Sequence, residues 1–155
     1  MSYAYALSRA LHANSIIQGV GGGVFHVSTL DTLPFDPDIV TIAFGTNDYD
    51  RCPTLEDMRA NVSDYLDWVA SSYGDKKVFV ISPIWRDKVI VDRFEACRAV
   101  VIEEAARRGM IHIDGLAMVP PFPSLYSDAF LHPNTLGFAY YSENVVRAIQ
   151  KHLKK

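Results

Sequence analysis

The sequence predicts an α/β domain built on a parallel sheet. Short apolar runs rich in β-branched residues alternate with longer stretches of helical periodicity, and turn formers bound each short run. At 155 residues and 49% hydrophobic, the chain can bury one core, so a single domain over residues 1–155 is expected.

Residues 3–11 carry helical spacing, so the chain is expected to open with a helix. Strands are expected at residues 15–18, 39–44, 78–81 and 111–113. Thr54 and Asp57 form a capping box before a helix whose Met58, Val62, Tyr65, Leu66 and Val69 share one stripe. A second helix spans residues 91–108 and stops at Gly109, with Phe94, Cys97, Val101 and Ala105 facing inward. Asn134 is a good N-cap for a last helix that buries Phe138, Tyr141, Val145 and Ile149. Most parallel α/β domains open with a strand, so the leading helix points to a segment missing in front of it.

The net charge of -3 and the scattered basic residues exclude a nucleic-acid face; Lys151, Lys154 and Lys155 read as a solvated helix end. No apolar run is long enough to cross a bilayer, and residues 1–11 lack the charged start and apolar stretch of a signal peptide. The chain as given therefore reads as a soluble cytoplasmic protein with no membrane partner. Cys52 and Cys97 match no zinc or redox spacing, so two reduced thiols are expected.

Three stretches follow expected strands, at the sheet edge where open α/β folds bind ligands. They are Gly19-Val-Gly-Gly-Gly23, Gly45-Thr-Asn-Asp48 and Asp128-Ala-Phe-Leu-His132. The glycine run reads either as a phosphate cradle or as a tight strand-to-loop turn. Val24 breaks the dinucleotide fingerprint, and no Gly-Lys-Ser/Thr follows. Gly45 to Asp48 reads as a local Asx turn or as part of a site. An Asp close to a His can fix the imidazole tautomer as a catalytic base requires, although the same pair also occurs as a structural loop contact. His112 and Asp114 make a His-x-Asp with no third ligand, so no metal is assigned. Trp85 and Arg86 either line a pocket suited to a sugar or a carboxylate, or cap a strand with Arg86 in a surface ion pair. The apolar loop at residues 120–126 is placed to form one wall of an acyl site.

Together and in this order, the three stretches resemble the conserved blocks of the SGNH hydrolases, the GDSL-like esterases and lipases. The resemblance covers essentially the whole chain. It implies a flavodoxin-like three-layer α/β/α sandwich whose first strand is missing here, no cofactor, and a small-molecule ester substrate, with an acetylated carbohydrate as one candidate. It further implies that the backbone N–H of Gly22, with Gly21 the next choice, and the side chain of Asn47 enter an oxyanion hole. Asp128 and His132 would be the acid and base, although the usual motif has two residues between the partners and this chain has three. The Gly-Asp-Ser block that carries the nucleophile is absent, and the expected place for it is upstream of Met1. Ser2 lacks both the preceding strand and the Gly-Asp context. An inactive fragment or a binding module is the alternative, and a phosphate- or nucleotide-binding domain is a further one. A missing first strand would expose sheet edges between residues 15–18 and 39–44. Direct pairing of those strands, a strand from another copy, or a rearranged N-terminus is expected to close the gap.

Overall fold

Three parallel strands form the sheet in the order β1 (Ile39–Ile42), β2 (Lys77–Ile81), β3 (Ile111–Ile113). Ile39 pairs in register with Lys77 and Ile42 with Val80, while Phe79 pairs with Ile111 and Ile81 with Ile113. The computed structural model describes residues 2–31 and 35–153, so Lys154 and Lys155 of the basic tail lie outside the described residues. Contacts divide the chain into two units. One holds the N-terminal residues through Gly19, Ile84–Val89 and the chain from Asp114 onward; the other holds Val20–Pro83 and Ile90–Ile113.

The second unit contains the sheet. Between β1 and β2 run a short helix, α2 (Asp48–Arg51), and a long one, α3 (Leu55–Tyr73). Thr54 caps α3 by accepting the Asp57 N–H at 3.0 Å, as its capping-box sequence predicts. The stripe Met58, Val62, Tyr65, Leu66 and Val69 is buried, and it packs with Phe25, Ile42, Val78, Val80 and Val101 into one core. Helix α4 (Val91–Arg107) buries Phe94, Cys97, Val101 and Ala105 and closes at Gly109, where the Met110 N–H returns to the Ala105 carbonyl.

Two charged residues of α4 are also buried. Glu104 is 1% exposed and accepts from Arg59, Arg107 and Arg108 at 2.8–2.9 Å. Burial pushes its carboxyl up, but the bonds from Arg108 and Arg59 win and hold it below the usual range. Periodicity does not reveal such a network, because each charged partner looks like ordinary surface.

In the first unit, α1 (Tyr3–Ala10) packs on α5 (Thr135–Leu153), with Tyr3 and Tyr141 rings 5.0 Å apart. Asn134 caps α5 by accepting from the Leu136 and Gly137 N–H groups. Tyr141, Val145 and Ile149 are buried as expected, while Phe138 is half-buried.

The strand expected at residues 15–18 does not form. Residues 13–20 carry neither helix nor strand, and Ile16 and Ile17 are 55% and 47% exposed. β-branched composition favours a pleated surface only where another backbone supplies the ladder, and among the described residues none pairs here. Direct pairing with β1 is therefore not the arrangement adopted, and β1 is an edge strand of the sheet. No described helix is long and apolar enough to cross a membrane.

Candidate active site

Two groups of residues carry chemistry, one in each unit. The first is the glycine turn with the residues after β1. The Gly23 N–H returns to the Val20 carbonyl at 2.9 Å, and Gly22 takes the left-handed conformation at φ +69°. A Cβ at Gly23 would meet the Phe44 ring at 2.8 Å, so close packing requires glycine there.

Asn47 and Asp48 fasten this turn. The Asn47 amide donates from Nδ2 to the Gly23 carbonyl at 3.0 Å, and the Phe25 N–H donates to Asp48 Oδ1 at 3.0 Å. The rings of Phe25, Phe44 and Tyr65 lock the segment from below at centroid distances of 5.2–5.7 Å. Asp48 is fully buried and its Oδ2 accepts no hydrogen bond among the described residues. Burial pushes its carboxyl up, against the pull of the Phe25, Asp48 and Gly45 N–H groups and the charge of Arg51. The sequence placed Asp48 in a stretch read as a local turn or as part of a site, and gave it no role of its own.

The second group is the turn before α5. Asp128 Oδ1 accepts from the N–H groups of Phe130, Leu131 and His132 at 2.8–3.1 Å, and Oδ2 lies 2.6 Å from His132 Nδ1. The three intervening residues fit because Ala129 adopts φ +65° and the carboxylate gathers the amides that follow. Partial burial works against ionisation, but the N–H donors and the imidazole hold the Asp128 carboxyl well below its ordinary range. A carboxylate acceptor at Nδ1 requires the ring proton there, which leaves the Nε2 lone pair available. The His132 side chain is 73% exposed.

The 120–126 loop anchors this turn. Asn134 donates to the Ser124 carbonyl from its side chain and to the Leu125 carbonyl from its backbone, and Tyr126 bridges Pro133. Trp85, half-buried, packs its ring 4.9 Å from that of Tyr126. The Asp87 N–H reaches the Phe130 carbonyl at 2.9 Å, and Lys88 Nζ sits 4.1 Å over the Phe130 ring. Arg86 is 6% exposed, so it is buried, which corrects the surface position considered for it.

His112 and Asp114 have local partners: His112 Nε2 lies 3.0 Å from Ser82 Oγ, and Asp114 caps the turn Gly115–Ala117 through the Leu116 N–H. No group of three metal-ligating side chains occurs among the described residues. Cys52 and Cys97 are free and buried. Ser2 caps α1 by accepting the Tyr5 N–H at 3.3 Å. Among the described residues no hydroxyl hydrogen-bonds the His132 ring.

Residues 1–140 match the GDSL-like lipase/acylhydrolase family. The chain belongs to that family. No curated protein matches it. Among solved structures it is similar to a lipase/acylhydrolase from Enterococcus faecalis at 26% identity and TM-score 0.61, covering 75% of this chain and 63% of that one. An α/β hydrolase from the Lake Arreo metagenome is 17% identical with TM-score 0.77, over 96% of this chain and 81% of that one. The acetylxylan esterase Axe2 of Geobacillus stearothermophilus is 16% identical with TM-score 0.75, over the same shares. At such identities the last two likenesses concern the fold alone. Family membership agrees with the expectation drawn from the order of the three sequence blocks, and the fold is the expected α/β one with a parallel sheet.

Proposed function

We propose that this chain is an acylhydrolase acting on a small ester, with an acetylated carbohydrate as its substrate class. Gly22 and Asn47 supply oxyanion donors through a backbone N–H and Nδ2, each worth about 3–4 kcal/mol in the transition state. His132 takes a proton through Nε2 and returns it to the leaving alcohol, while Asp128 orients the ring and stabilises its protonated form. The Asp128–His132 contact of 2.6 Å, with the same carboxylate gathering three amides, carries this reading. Support for a sugar ester comes from the half-buried Trp85 and from the acetylxylan esterase of similar fold.

Incubation with a fluorophosphonate and with 4-nitrophenyl acetate tests the reading. A serine adduct that disappears in His132→Ala identifies the nucleophile. Hydrolysis without an adduct, lost in the same variant, leaves water as the nucleophile with His132 as general base. A folded protein that does neither is a binding scaffold, the second reading, which the lack of a hydroxyl partner on the His132 ring favours.

A further inference from the structure

Arg51, the last residue of α2, was no part of the sequence reading, yet its guanidinium lies directly against the glycine turn. A Cβ on Gly22 would meet Nη2 at 2.6 Å, Cζ at 3.3 Å and Nη1 at 3.4 Å. The side chain is exposed, and among the described residues its guanidinium makes no hydrogen bond and has no carboxylate within 4.0 Å. The Gly22 N–H likewise donates to nothing among the described residues. Asn47 Nδ2 spends one hydrogen on the Gly23 carbonyl and keeps a second.

An ideal Cβ sits about 2.5 Å from its own backbone nitrogen, so Nη2 lies within about 5 Å of the Gly22 nitrogen. Two donors that far apart can share one oxygen at about 2.9 Å from each. We propose that Arg51, Gly22 and Asn47 form an anion site with one charged and two neutral donors, whose ligand is a small carboxylate, the class of product that ester hydrolysis releases. The inference rests on the donor roles proposed above for Gly22 and Asn47. It assigns to Arg51 a recognition role that the glycine turn and the asparagine do not supply, because a planar fork selects carboxylates by geometry as well as charge.

The decisive measurement is a set of amide proton–nitrogen correlation spectra of the full chain, titrated with sodium acetate and, at matched ionic strength, with sodium chloride. Acetate is expected to shift the Gly22 backbone and Asn47 side-chain amides saturably, and chloride is not. Arg51→Gln should weaken the acetate dissociation constant about tenfold, and Arg51→Lys should weaken it less, since the charge remains without the fork. Equal affinity in the parent and Arg51→Gln would remove Arg51 from the site, and no shift at Gly22 or Asn47 in the parent would overturn the site itself. Peak dispersion reports whether each variant is folded. Ester hydrolysis on the same samples shows separately whether the acylhydrolase reading survives.

Discussion

Asp48 and Asp128 are both aspartates in site loops, and their environments push them in opposite directions. Asp128 is held below its ordinary range, so its contribution to stability is present above the unfolded value of about 4 and is lost as pH falls through the lower folded one. Asp128→Asn should flatten that acid limb of the stability curve and, if the protein hydrolyses esters, lower the rate by about a thousandfold or more. Asp48 is raised by burial, so the native state holds its proton more tightly than the unfolded chain. Stability then falls as pH rises from the ordinary carboxylate range through the raised folded value, and Asp48→Asn should abolish that slope. Urea titrations between acid and neutral pH measure both, and a parallel slope in the parent and Asp48→Asn would refute the second. The sequence named Asp128 by its spacing to His132. It was silent on the protonation of Asp48, which depends on how completely Phe25 and its neighbours cover the carboxyl.

At the scale of elements, local signals served best where the physics is local. The Thr54 cap, the apolar stripe of α3 and the Asn134 cap of α5 all lie where sequence periodicity places them. Thr54→Ala should cost about 1 kcal/mol in chemical unfolding. Helix α4 is different, because Glu104 is buried among arginines from α3 and from its own C-terminal end. Glu104→Ala should cost about 2–3 kcal/mol, since Arg108, only 12% exposed, would lose its buried acceptor. A loss below 0.5 kcal/mol would show that water replaces the carboxylate freely. Helical spacing marks which side of a helix is inside but not which charges accompany it.

For the whole molecule, β1 is the point of tension. Its Ile-Val-Thr-Ile sequence suits a strand covered on both sides, and it lacks the lysine, proline or bulge that blunts an edge, yet it stands at the edge of a three-stranded sheet. The proposal that a strand from another copy covers it predicts that light scattering gives a mass above the 17.3 kDa of one chain, rising with concentration. A single-chain mass throughout would rule that out. By itself the sequence determined the strands expected at residues 39–44, 78–81 and 111–113 and the long helices α3, α4 and α5, and it named the candidate site residues, because periodicity, caps and motif spacing are written within a few residues of one another. Only the tertiary structure decided that residues 15–18 stay outside the sheet, that Asp48 and Glu104 are buried, and that Arg51 lies over Gly22. Each of those depends on which backbone or side chain arrives from elsewhere in the chain, and strand pairing, desolvation and close approach have no local code.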